Sequence, residues 1–554
     1  MATCLVAARS QGTATLQLIN GRVWTGDARQ RWAQAVAIQG DRIVAVGTDR
    51  DVARWRGNST RVVDLAGRFA LPGFNDAHIH ITGGALRLFE VDLNGAGSLA
   101  EMQRRVAQFA RENPNEPWVL GYGWQYSDLP DRLPHRRGLD AVVPDRPVFL
   151  SAYDGHTGWA NSKALELAGV TRATHFTGYG EIVRDAEGEP TGVFKEGAQG
   201  LVRRAVPEPT RGKRLAALRR GLRWLSAMGV TSLQNASGSL DDLTLYEELD
   251  RTGDLVVRVS IAASVGPWTT EADIERIAAA ARKHCGLPCG NAKLRLGAIK
   301  MVLDGVIETH TAAMLEPYSD APAARGTPSY TPEQLKRAVA AADKAGLQIY
   351  IHAIGDRAVR MALDAFEHAR SANGRRDSRH RIEHIETVSP PDIPRFARLG
   401  VLASMEPIHA DPGTVDVWAR AVGPHRVRRA FAWRSLERAG ARLLFSSDWP
   451  AAISAHPLRG LHNAVNRQTI EGQPPGGWVA QQRVSVATAL AAYTRAGAYA
   501  SFEEKLKGML APGMLADVAV LTCDPFRIPP ARLHTCQVAL TIFDGRIVHD
   551  DAPR

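Results

Sequence analysis

Leu71-Pro72-Gly73-Phe74-Asn75-Asp76-Ala77-His78-Ile79-His80 reads as an apolar strand, spanning 70–80, that ends on two histidines separated by one residue. Side chains two apart on a strand project to the same side, so both imidazoles can meet one ion beyond the strand end. Alone, such an alternation is equally a structural pair. The positions of later ligand-type residues give it weight: His352 ends Gln348-Ile-Tyr-Ile-His, His384 ends Arg381-Ile-Glu-His, and Asp448 ends Leu443-Leu-Phe-Ser-Ser-Asp.

Further strands are predicted at 230–235, 256–262, 294–302, 348–352, 380–385, 401–405 and 442–446, which with 70–80 makes the eight that a closed parallel barrel wants. Amphipathic helical stretches lie between them, as in Arg214-Leu-Ala-Ala-Leu-Arg-Arg-Gly-Leu and Gln334-Leu-Lys-Arg-Ala-Val. The expected fold is therefore α/β, a (β/α)8 TIM barrel. The five residues named above fall at the ends of the first, fifth, sixth and eighth strands, and barrel enzymes gather their chemistry at those C-terminal ends.

Some 145 residues, 81–225, separate the first two strands, too many for a βα connection, and are read as an inserted subdomain. Short alternating segments at both ends (Thr15-Leu-Gln-Leu-Ile, Ala35-Val-Ala-Ile, Ala516-Asp-Val-Ala-Val-Leu, Val538-Ala-Leu-Thr-Ile-Phe) carry hairpin signals at Asn20-Gly21 and Gly40-Asp41. The echo of Ile19-Asn-Gly-Arg-Val in Phe543-Asp-Gly-Arg-Ile-Val suggests that the termini, 1–70 and 497–554, make one small β-sandwich domain beside a barrel of 71–496.

A chain of 554 residues with 45% hydrophobic and 23% charged residues has ample material for a core. Its net charge of +10 is spread as isolated pairs such as Arg136-Arg137 and Arg428-Arg429, which argues against a nucleic-acid partner. No apolar run reaches the roughly 20 residues of a membrane span. Five dispersed cysteines point to reduced thiols, and His284-Cys285 with Cys289 is set aside as incidental metal spacing. The opening residues lack a basic stretch before their apolar run, so a cytoplasmic location is expected.

Four neutral imidazoles and a carboxylate suit zinc or a similar divalent ion, whose bound water loses its proton near pH 7. Asp448 would ligate and also take that proton. The bland alternative for Asp448 is a turn residue ahead of Trp449-Pro450.

In order along the chain, Pro72-Gly-Phe-Asn-Asp-Ala-His-Ile-His, Asp154-Gly-His with Asn161, Asp304-Gly-Val-Ile-Glu, Ile351-His-Ala-Ile-Gly-Asp, Ile382-Glu-His, Ser447-Asp and Gly513-Met-Leu-Ala-Asp resemble the amidohydrolase superfamily, in its YtcJ-like branch, the Amidohydrolase 3 group. The resemblance implies a metal-dependent hydrolase of non-peptide C–N bonds (amide, N-acyl or N-formyl) acting through metal-bound hydroxide, with two ions per chain. It also implies a carboxylated lysine bridging them at Lys300. Lys300 paired with Asp304 or Glu308 is the alternative, and Lys195 or Glu196 could take the bridging role instead. Tyr122, Trp124, His156 and Asn161 resemble pocket-facing positions that bind the small-molecule substrate. Glu406-Pro407 stands where relatives often carry Gln-Pro; His310 and His409 also lie near strand ends, and Asp356 and Glu383 are placed to orient their ligand neighbours. A deaminase, an ester or carbamate hydrolase, and a non-catalytic ligand-binding barrel stay open as other readings, and so does a homodimer.

Overall fold

The computed structural model describes residues 12–129, 133–153, 155–178, 180–284 and 293–551. The readings of the opening residues, of Asp154 and of Cys285 and Cys289 fall outside the described residues. The chain forms two compact units, one running to Thr82 and resuming at Gly221, the other Gly83–Arg220.

The first unit carries an eight-stranded sheet whose order follows the chain. Its strands are β1 (Phe74–Ile79), β2 (Val230–Gly238), β3 (Arg258–Ser264), β4 (Leu294–Val302), β5 (Gln348–Ala353), β6 (Arg381–His384), β7 (Leu402–Met405) and β8 (Leu443–Phe445). Every neighbouring pair in it is parallel. Such strands are covered on both faces, which is why β1 and β6 are buried at every residue. The ring shuts just beyond the ends of β1 and β8, where Asp448 N–H donates to the His78 carbonyl (2.8 Å) and His80 N–H to that of Trp449 (2.9 Å). The result is a nearly closed parallel barrel.

The connecting helices follow ordinary rules. Pro332–Lys344 begins with Thr331 and Gln334 capping each other reciprocally and Pro332 in the first turn, and buries Leu335, Val339 and Ala342 along one stripe. Among the described residues no helix is long and apolar enough to cross a membrane.

The single strand expected over 70–80 is two. Phe69–Pro72 pairs antiparallel with Val518–Leu521 in a sheet built by both termini, and only after Gly73 does the chain enter the barrel as β1. A side chain at Gly73 would collide with that of Thr231 on β2, so only glycine lets the chain pass so close. The terminal segments form a four-stranded sheet (Leu16–Ile19, Ala35–Gln39, Arg42–Gly47, Arg61–Asp64) and a six-stranded one that includes Arg22–Trp24, Val518–Leu521 and Val538–Phe543. Leu16, Leu18, Val36 and Ile38 of the first share a core with Val518, Val520, Leu540 and Ile542 of the second.

Two local expectations are corrected here. Asn20-Gly21 does not close a hairpin: Leu16–Ile19 and Arg22–Trp24 lie in different sheets, so the turn carries the chain between them. The terminal sheets also begin later than residue 497, because Arg495–Ala500 is a helix whose Ala496 and Ala500 pack with Ala77, Leu402 and Leu444 of the barrel. A third correction concerns the thiols, since Cys523 and Cys536 are joined by a disulfide with Cα atoms 5.5 Å apart. Their separation of 13 residues in sequence hides that they close one loop between paired strands.

The second unit is built on a six-stranded sheet of mixed direction, from Val91–Asp92 to Gly180–Arg184. Helix Leu99–Glu112 contributes Met102, Val106 and Ala110 to one of its apolar clusters.

Candidate metal centre

His78 lies within β1, wholly buried, and His80 one step beyond it. Asp448 follows β8 and His384 ends β6, both with left-handed backbone (φ 56° and 72°). Non-glycine residues hold that conformation at a cost, and here it turns both side chains out of the strand alternation.

His80 Nε2 and His78 Nε2 stand 3.0 and 3.3 Å from Asp448 Oδ1. That oxygen is buried and receives no hydrogen bond of acceptable geometry. An orphaned carboxylate oxygen facing two imidazole nitrogens is a costly arrangement for a protein alone, and a fitting one for a divalent cation. The ordering of the two rings supports this. His78 Nδ1 is held by Glu383 Oε2 at 2.8 Å and His80 Nδ1 by Ser237 Oγ, so each presents Nε2 to the centre.

Burial alone would raise the Glu383 carboxyl, but Arg381 and His78 hold it far below the ordinary range. Arg381 is itself immobilised by Glu383, by Gln234 Oε1 (2.6 Å) and by the Ala77 carbonyl (2.7 Å). Glu383 thus serves His78 across the barrel and not its sequence neighbour His384. Asp448 would also rise on burial, yet His78 and His80 keep it well below an ordinary aspartate.

Burial drives His352 and His384 well below the usual imidazole range, so both are neutral and free to act as ligands. Their rings are 4.4 Å apart, and the His384 ring is 5.0 Å from that of His78. Lys300 is buried, with Nζ 3.4 Å from His78 Nε2. Burial lowers its ammonium against the pull of Glu383, Asp448 and Glu406. Asp304, offered as its partner, instead accepts the backbone N–H groups of Ala313, Ile354 and Gly355 at 2.8–3.0 Å.

Three residues at this centre carry no role assigned from sequence. Ser237 orients His80, Glu406 Oε2 lies 2.9 Å from His384 Nδ1, and Glu386 stands behind His409. Sequence offers no periodic signal for such contacts, which join different strands. Asp356, expected to orient a histidine, accepts Leu315 N–H instead, and His310 pairs with Asp320.

The four residues expected to meet substrate all lie in the second unit. Asn161 is fully buried there, its amide spent on Val143, Arg146, Val148 and Ala164, and Trp124 is equally buried and donates to the Leu150 carbonyl. These two are packing residues. Tyr122 is half-buried beside Arg87, and His156 is partly exposed with Nδ1 3.0 Å from Glu196. Lys195, the rival bridging ligand, pairs with Glu181 at 2.8 Å.

A family profile described as "Amidohydrolase family" matches residues 61–549. The putative amidohydrolase YtcJ of Bacillus subtilis (strain 168) is 31% identical, over 92% of this chain and 97% of its own. An N-substituted formamide deformylase of Arthrobacter pascens is 29% identical, over 96% and 97%. Among solved structures, an uncharacterized metal-dependent hydrolase from Pyrococcus horikoshii OT3 superposes with a TM-score of 0.75 at 27% identity, covering 93% of this chain and 99% of that one.

Proposed function

As a member of the amidohydrolase family the chain is a metal-dependent hydrolase, and we propose that it cleaves the C–N bond of a small amide, N-acyl or N-formyl compound. The observation that carries this reading is the convergence of His78 Nε2 and His80 Nε2 on the unpaired Oδ1 of Asp448. The deformylase likeness favours an N-formyl or related amide among C–N substrates.

His78, His80 and Asp448 would hold one divalent ion, zinc suiting their donor set, and His384 anchors a second; the resemblance pairs it there with His352 and Lys300. When bound, such an ion lowers the pKa of water and polarises the carbonyl. The side chains do the rest. Glu383 and Ser237 fix the two tautomers. Asp448, held ionised, takes the proton of the attacking water and delivers it to the nitrogen as the C–N bond breaks. Tyr122 and His156 keep their proposed place as substrate residues, and the two terminal sheets with their shared core are read as the small β-sandwich, with Gly83–Arg220 as the insertion.

His78→Ala and Asp448→Asn are expected to abolish turnover of an N-substituted formamide by at least ~10³-fold while leaving the circular dichroism spectrum unchanged. Substantial residual activity in either variant would sink this assignment.

A further inference from the structure

At the end of the barrel opposite the metal centre, arginines outnumber the acids that could pair with them. A cavity of about 520 Å³ opens there, where the chain enters β6 and β7. Its walls are the last turn of helix Asp356–Asn373, the loop from that helix into β6, and the last turn of helix Ile393–Leu399. Arg370, Arg375, Arg376, Arg379 and Arg398 line it, against two aspartates, Asp343 and Asp377. The metal-centre residues stand at the C-terminal ends of the strands, so the two places lie on opposite faces of one ring.

The acids are already spent. Asp343 Oδ1 accepts from Arg376 Nε at 2.7 Å and faces His380 Nε2 at 3.0 Å, while its Oδ2 accepts from Asn373 at 2.9 Å. Asp377 sets both oxygens on Arg379, which Glu504 holds from the other side at 2.9 Å. Arg398, largely exposed, meets Glu367 at 3.2 Å. Two arginines remain. Arg370 reaches only the Arg398 carbonyl, at 3.1 Å, and Arg375 is exposed; among the described residues neither meets a carboxylate. Cations in a last helical turn offset the carbonyl end of the helix, which gives Arg370 and Arg398 a structural use. That does not extend to Arg375, which lies past Gly374, where the helix has ended.

We propose that this cavity binds a phosphate group carried by a small phosphomonoester, with Arg370 and Arg375 as its principal contacts and Arg398 at the rim. A guanidinium stays ionised at physiological pH, and its planar fork of donors matches phosphate oxygens two at a time. Uncommitted arginines side by side thus suit a dianion better than a single carboxylate. The volume lies within the roughly 300–1,000 Å³ typical of sites for small organic ligands, which favours an ester over the free ion. The site is independent of the hydrolase reading, since it shares no residue with the metal centre.

The test is isothermal titration calorimetry of the full chain with inorganic phosphate, with ribose 5-phosphate and, as the uncharged control, with ribose. Ribose 5-phosphate is expected to bind at one site per chain, more tightly than inorganic phosphate and more weakly as salt rises, and ribose not at all. Arg375→Gln should weaken it by ~10-fold or more, and Arg370→Gln with Arg375→Gln further still, with circular dichroism unchanged. Because Arg375 is exposed and without an acid partner, its single variant tests the site without disturbing the fold. Folded His78→Ala should bind as wild type does, which separates this cavity from the metal centre. No binding of either phosphate up to roughly 10 mM, full affinity in the double variant, or loss of binding in His78→Ala would each overturn the proposal. Inorganic phosphate binding as tightly as the ester would overturn the ester and leave the free ion as the ligand.

Discussion

His456 opens the helix Pro457–Asn466 by accepting Leu458 N–H on Nδ1, a bond that requires the neutral ring. Burial lowers its pKa to about 4. A histidine depressed in the folded state adds stability that is complete above its unfolded value near 6.5 and is lost as pH falls toward 4, at up to roughly 1.4 kcal/mol per pH unit. His456→Asn keeps a capping acceptor and cannot titrate. Thermal melts should show wild type losing ground to this variant between pH 6.5 and 4.5; a constant gap would mean that His456 is not buried neutral. At this same scale the centre was partly legible. His78, His80 and Asp448 could be found because strand alternation and strand ends are sequence properties. Glu383, Glu406 and Ser237 could not be assigned their partners, because each acts on a histidine of another strand and three-dimensional neighbours leave no spacing to read. Asn161 and Trp124 misled for the opposite reason, since a polar or aromatic residue looks the same in sequence whether it faces a ligand or fills a core.

The eight barrel strands were readable as elements because a strand covered on both sides must be apolar along its length. Their junction with the terminal sheet was not, since the hydrophobic run continues unbroken through Gly73 while the chain changes sheets. That glycine makes an element-scale prediction. Gly73→Ala should cost about 1–3 kcal/mol by driving a methyl into Thr231, and Thr231→Ala should recover much of the loss in the double variant. Additive melting shifts in the two variants would refute the contact. Asn20-Gly21 and Asp544-Gly545 show why a shared turn sequence does not fix what it joins. Asn20 and Asp544 have the same left-handed backbone (φ 53° and 52°), yet one turn links two sheets and the other closes a hairpin between Val538–Phe543 and Arg546–Asp550.

At the scale of the molecule, the chain's last segment is tied to the barrel by a buried charge. Arg258 of β3 is 2% exposed and bonds Asp517 and Asp544 at 2.8 Å each. Both acids belong to the C-terminal stretch, which thus supplies the carboxylates facing this arginine. Removing Asp517 leaves the buried guanidinium with Asp544 in place of two carboxylates, at a cost approaching the roughly 3–5 kcal/mol of a broken buried pair. Asp517→Ala is therefore expected to lower the melting temperature far more than Asp551→Ala, an exposed acid of the same C-terminal stretch; equal shifts would show that Arg258 contributes nothing to the join. Sequence pointed to the association of the two termini through their echoing strands, but it gave no sign of the arginine, whose partners lie 259 and 286 residues away.

The barrel's ring is fastened at one place, where β1 meets β8 through the backbone of His78, His80 and Asp448, and the side chains of those three residues meet there too. A cation gripped by them would act as the rivet of a hoop, joining the first stave to the last across about two thirds of the chain's length. Such an ion would brace a seam that backbone hydrogen bonds already close, at the point where the proposed chemistry takes place.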